Sequence, residues 1–184
     1  MADDHKITDR LITIDEIKGL PMSEFPKMVL TNGYNSVFGF LISLTTDDFW
    51  NHFMWLISPE EVATQWWYFT KMKIDHFNHH SMKVWDNPLW TDIEKKCMLQ
   101  FIEAELSKSK WETRYDVFGL IKKAFGKSSP NPYDFCSEKI DILSLIDEPC
   151  REWMKTNCSP RPEEVNTWLK TENRFRIFGR VQPS

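Results

Sequence analysis

Apolar and polar residues fall into blocks that predict alternating strands and helices. Ile12, Ile14 and Ile17 mark a short strand or helix packed at an edge, broken by Gly19-Leu20-Pro21. Phe25 to Leu30 is a first strand, ended by the turn signal Thr31-Asn32-Gly33. Ser36 to Leu44 is mostly apolar, and periodicity does not decide between buried strand and short helix. Two aromatic runs, Phe49 to Ile57 and Val62 to Tyr68, are joined by Ser58-Pro59-Glu60-Glu61 and predict a β-hairpin. Lys71 to His80 alternates and then turns histidine-rich, and Met82 to Trp85 predicts another strand.

The clearest helix is Thr91 to Ser107. Thr91 with Glu94 forms a capping-box pair. Ile93, Cys97, Met98, Phe101, Ile102 and Leu106 supply its apolar stripe. A Ser/Pro/Asn-rich loop from Gly126 to Pro132 leads into a second helical pattern, with Asp134 as N-cap and Ile140, Leu143, Leu145 and Ile146 as its stripe. Cys150 to Lys155 adds a helical turn. Asn157 to Val165 reads as the start of another helix, with proline and acids in its first turn. Phe175 to Val181 predicts a final strand in which Phe178 is out of step. The fold class is α+β, with no internal repeat and no internal domain boundary. A single domain over residues 1–184 is expected, of which 1–20 are a charged lead-in.

Composition narrows the chemistry. A length of 184 residues suffices for one proper core. The net charge of −4 argues against a nucleic-acid surface. Only six glycines are present, so phosphate-cradling loops are not expected. Nine Trp and thirteen Phe imply a dense aromatic core or a partly apolar groove. Residues Met1 to Glu16 show no signal-peptide core, and no run reaches membrane-spanning length. The expectation is a cytoplasmic chain whose four cysteines (Cys97, Cys136, Cys150 and Cys158) are free thiols.

Cys136 would sit in the first turn of the helix capped by Asp134. Unpaired N–H groups and the positive end of the helix dipole favour a thiolate there. The simpler reading is a small buried hydrophobe. Cys97 is most simply core, and Cys150 and Cys158 are structural or exposed. His52 begins the first hairpin strand, as a packed core histidine or as a base adjacent in space to Cys136. Asp75, His76, His79 and His80 fit no standard zinc spacing and read as a solvated loop. No metal, nucleotide or flavin is predicted.

Together the segments resemble a known family. They are Thr45-Thr46-Asp47-Asp48-Phe49-Trp50-Asn51-His52, Val84-Trp85-Asp86-Asn87-Pro88, Tyr115-Asp116 with Gly119-Leu120, Phe135-Cys136-Ser137-Glu138, and Ser159-Pro160 with Glu163. The order is similar to that of the circularly permuted papain-like cysteine hydrolases of the NlpC amidase superfamily, YiiX/YebB-like branch. Lecithin:retinol acyltransferase is a more distant relative. Histidine precedes cysteine, the reverse of papain.

The resemblance covers roughly Pro21 to Val181. It implies a permuted papain-like fold, an antiparallel sheet or small barrel packed against helices. Cys136 would be the nucleophile and His52 its general base. The third member falls on Thr64, with Gln65 as the alternative. Both are neutral, a departure from the charged or imidazole group often found there. Tyr115, Ser137 and Trp50 would belong to the substrate and oxyanion region. Glu138 is more simply a charge matched to the helix dipole.

The implied activity is amide cleavage in a peptide or peptidoglycan-like substrate through an acyl-enzyme. Lipid ester or thioester hydrolysis, or acyl transfer, is the first alternative, for which Trp50, Phe53, Trp55, Trp66, Trp67, Tyr68 and Phe69 would line an apolar channel or else form plain core. A papain-like binding module without turnover is the second alternative. Partners are a peptide-like or acyl-lipid substrate, with no nucleic acid and no integral membrane span. A wall substrate would require delivery by a phage particle or a secretion machine.

Overall fold

The computed structural model describes residues 10–32, 49–114, 139–157 and 160–183. Its centre is a six-stranded antiparallel open sheet of order β4-β3-β2-β1-β5-β6. The strands are β1 Lys27–Asn32, β2 His52–Leu56, β3 Glu61–Gln65, β4 Phe69–Lys73, β5 Ser81–Asp86 and β6 Arg176–Val181. The α+β class holds, and the sheet is open rather than a small barrel. Five α-helices accompany it among the described residues: α1 Ile14–Lys18, α2 Asp92–Ser107, α3 Asp141–Ser144, α4 Glu148–Thr156 and α5 Pro162–Thr171.

Alternation along the strands sorts side chains between two faces. Met28, Leu30, Phe53, Trp55, Ala63, Phe69 and Trp85 share a core with Met98 and Ile102 of α2, Leu143 of α3, Cys150 of α4 and Trp168 of α5. Val29, Met54, Leu56, Val62, Met82 and Val84 form a second core with Ile12, Ile17, Phe25, Ile74 and Phe77. The four inner strands β1, β2, β3 and β5 are buried on both faces. Their aromatics are needed as filling for two cores, which is why the sequence is so rich in Trp and Phe.

The hairpin forms as its two aromatic runs predict, with Met54 opposite Thr64 and Leu56 opposite Val62. Ser58 supports the turn, accepting from Glu61 N at 3.0 Å. The out-of-step Phe178 marks an irregularity between β5 and β6, where Val84 pairs with Gly179 and Trp85 with Ile177. Ile12, Ile14 and Ile17 resolve as a short helix with flanking extended chain. Thr13 and Glu16 form the capping box of α1, and Ile12 N donates to Arg180 O at 2.9 Å.

Several details differ from the sequence reading. The first strand runs on through Thr31 and Asn32, which pair with β2 and β5 instead of turning. Thr91 and Glu94 do cap α2 as a capping box, but Ile93 is 75% exposed. It falls on the first turn, outside the face buried through Met98 and Ile102, and Cys97 is only partly buried. The stripe from Ile140 to Ile146 is not one helix. The four-residue α3 ends before Leu145, which is 54% exposed, and Asp147 caps a new helix, its Oδ1 accepting from Cys150 N at 2.7 Å. The His-rich segment is a 3-10 turn over Ile74–Phe77 with Ile74 and Phe77 buried, so only part of it is solvated.

Candidate functional site

β2 and β3 place the first half of the expected machinery. His52 opens β2, on the face of Met54 and Leu56, and Thr64 lies on the return strand on the same face. Their side chains meet: His52 Nε2 lies 2.6 Å from Thr64 Oγ1. Thr64 is fully buried, and part of the His52 surface remains accessible. Gln65, the alternative third member, points to the opposite face. Its Nε2 donates to the carbonyl of Thr113, and its Oε1 is buried without a partner among the described residues. Adjacent strand residues face opposite ways, so only one of the two can serve His52.

Burial pushes the His52 imidazole down to about 4, and positive charge on His80 adds to the effect. Near neutral pH the ring is therefore uncharged, the state in which a base accepts a proton. Nε2 is taken by Thr64. Nδ1 makes no hydrogen bond with a described residue and is the nitrogen available for exchange.

His80 is the neighbour that sequence reasoning missed. It follows the 3-10 turn and is partly buried, with its ring edge-on to Phe77 at 5.5 Å between centroids. Its Nδ1 lies 3.4 Å from Thr31 Oγ1. Thr31 pairs with His52 across β1 and β2. Burial, and then His79, lower the His80 pKa. The sequence carried the signal only as the run His79-His80; its place depends on the β1–β5 register, in which Thr31 meets Met82, two residues on.

Trp50, expected near substrate, is buried in the helix-side core with Lys83 Nζ 5.0 Å from its ring centroid. Phe53, Trp55 and Phe69 are buried in the same core, whereas Trp67 is exposed. Cys136, Ser137 and Tyr115 lie outside the described residues, as does Cys158. The nearest described landmark to Cys136 is Lys139, whose carbonyl accepts from Trp55 Nε1 at 2.8 Å. Trp55 faces the helices, so this anchor lies on the other side of the sheet from His52. Lys139 is three positions from Cys136 along the chain, and Trp55 is three positions from His52, each a reach of at most about 11 Å.

Cys150 is fully buried, with Sγ 3.8 Å from Ile140 O. Burial pushes its thiol strongly up, with Asp147 contributing, so it is a poor nucleophile. Among the described residues no group of three or more His, Cys, Asp and Glu side chains is arranged to hold a metal ion. No described helix is long and apolar enough to cross a membrane. No protein-family model matches the chain, and no curated protein matches it.

Proposed function

We propose that the protein is a cysteine hydrolase of permuted papain-like fold that cleaves an amide bond in a peptide-like substrate, with Cys136 as nucleophile and His52 as general base. The supporting observation is the 2.6 Å contact between His52 Nε2 and Thr64 Oγ1. It puts a polar group from the return strand on the imidazole, at the position that the family resemblance reserves for the orienting residue. In the cycle, His52 Nδ1 takes the Cys136 proton as sulfur attacks the carbonyl carbon. His52 then gives that proton to the leaving amine as the C–N bond breaks. Water, deprotonated by the same nitrogen, releases the acyl group and restores the thiol. The Cys136 backbone N–H would donate to the oxyanion. A neutral Thr64 orients the ring but stabilises imidazolium less than a carboxylate would. The same machinery would serve an acyl-lipid ester or thioester.

A second reading, a binding module on this scaffold without turnover, draws on the face geometry. His52 lies with Met54 and Leu56, while Lys139 is held on the helix side through Trp55.

Labelling native protein with an iodoacetamide probe across pH, read by peptide mass spectrometry, separates the two. The hydrolase reading expects selective modification of Cys136 below about pH 7 that disappears in His52→Ala. Modification of Cys136 no faster than Cys158, or indifferent to His52→Ala, overturns it in favour of the binding module.

A further inference from the structure

Among the described residues, Trp67 and Trp111 are the exposed tryptophans, at 57% and 76%. The fold brings both to one end of the sheet. Trp67 is the tip of the tight turn between β3 and β4, in which Trp66 N donates to Tyr68 O at 3.1 Å. Trp111 sits in the turn that follows α2, where Glu112 N donates to Ser109 O at 3.0 Å. Backbone contacts join the two turns: Tyr68 bridges Arg114, and Phe69 N donates to Thr113 O at 3.2 Å. A single exposed apolar side chain needs no explanation. Two indoles held out on joined turns form a surface.

Cations accompany the rings. Lys110 Nζ lies 4.6 Å from the Tyr68 ring centroid, and the Arg114 guanidinium lies 5.4 Å from that of Trp111. Beside them a cleft of about 480 Å³ opens between β4 and the end of α2, lined by Tyr68, Lys71, Glu103, Leu106, Lys108 and Lys110. Two of its lysines are answered by carboxylates, Lys71 by Glu103 at 2.6 Å and Lys108 by Glu105. No carboxylate among the described residues pairs with Lys110. Glu112, the carboxylate of the same turn, is engaged by Ser109 N at 2.9 Å and Ser109 Oγ at 2.6 Å.

We propose that this end of the molecule docks on the surface of a phospholipid bilayer, with Trp67 and Trp111 seated in the interfacial zone and Lys110 and Arg114 on lipid phosphates. Indole joins an apolar body to a polar N–H and partitions to that zone. A bilayer surface offers apolar and anionic material in layers, which matches indoles at turn tips with cations set against the adjoining rings. An acidic peptide would match the cations and leave both tips outside it. The chain as a whole carries −4, so an anionic surface turns this end towards itself. Trp67 is three positions past Thr64, which contacts His52, so the docked end is the His52 end of the sheet. The docking uses neither Cys136 nor His52 and stands apart from the hydrolase reading.

The test is co-sedimentation of the full chain with phosphatidylcholine vesicles containing about 30 mol% phosphatidylserine. The wild type is expected to sediment with them, and its Trp emission to shift to the blue. Trp111→Ala is expected to weaken partitioning at least about five-fold. Lys110→Glu is expected to weaken it on these vesicles and less on pure phosphatidylcholine. Ile93→Ala is the control. It removes another exposed apolar side chain, at the opposite end of α2 from the Trp111 turn, and is expected to leave partitioning unchanged. These are surface substitutions, which leave the fold in place, and the wild-type arm needs no variant. Wild-type protein that stays in the supernatant, or an equal loss in Ile93→Ala and Trp111→Ala, overturns the proposal. Binding to soluble polyglutamate with none to vesicles also overturns it and gives the surface to an acidic protein partner.

Discussion

The His52–Thr64 contact runs in one of two directions, and the direction has chemical meaning. If Nε2–H donates to Thr64 Oγ1, Nδ1 keeps its lone pair and is ready to take a proton. If the hydroxyl donates to Nε2, Nδ1 carries the hydrogen and is no base. The hydrolase reading expects the Nε2–H tautomer, to be read from the ring 15N shifts above pH 7. Thr64→Val removes the hydroxyl from a fully buried position. The loss is expected to cost about 1–2 kcal/mol in urea unfolding and to slow Cys136 labelling, with Thr64→Ser restoring most of both.

Acid stability belongs to the same residue. A histidine held below its usual range binds fewer protons folded than unfolded, so stability falls as pH drops from 6.5 towards 4 and levels off below that. The loss assignable to His52 is at most about 3.5 kcal/mol, at about 1.4 kcal/mol for each pH unit. His52→Gln is expected to flatten this slope in denaturant melts across pH 4–7. The place of His52 at the start of β2 was legible in the sequence, because the aromatic run around it fixes the strand. The place of His80 was not, since it hangs on how β5 aligns against β1.

At the scale of elements, buried charges set strand and helix ends. Asp86 at the end of β5 is buried and faces Lys27 at 3.2 Å and Arg176 at 3.3 Å; Lys27 is fully buried and also reaches Glu24 at 3.1 Å. Asp86→Ala removes the buried partner of the Lys27 ammonium and leaves it only the more exposed Glu24, and is expected to cost about 3 kcal/mol, measured by chemical denaturation. Asp147 caps α4 and also pairs with Arg174 at 2.7 Å, which turns what reads in sequence as one apolar stripe into two helices. Its carboxylate competes with helix continuation, a tertiary effect that a periodicity count from Ile140 to Ile146 does not contain. The hairpin, α2 and β6 were legible because each carries its own punctuation: Ser58-Pro59, the Thr91–Glu94 box, and the misfit at Phe178. Which of Thr64 and Gln65 meets His52 was legible only as a choice between neighbours, and strand alternation puts Thr64 on the face of His52.

Across the whole molecule, two cores on one sheet divide the labour. The helix side holds most of the described Trp side chains, and the other side carries the His52–Thr64 pair. Trp55 links the helix side to the chain before α3 through its bond to Lys139 O. Trp55→Phe is expected to lower stability by about 1–2 kcal/mol while leaving the pH midpoint of His52 titration in place, since the two lie on opposite faces. The outer strands of a sheet are the usual template for recruiting a second chain. β4 carries Lys71 and Lys73 there, each in an ion pair at its surface. β6 is guarded differently. Residues 10–12 lie along it in parallel, with Leu11 bridged to Arg180 and Ile12 seated against Gly179, where even an added methyl group would come within 2.6 Å of the isoleucine. The chain thus lays its own leading residues over the rim on which aggregation would otherwise begin. Trimming it to residue 14, or filling the notch with Gly179→Ala, converts that rim into an adhesive one, visible as concentration-dependent self-association in sedimentation.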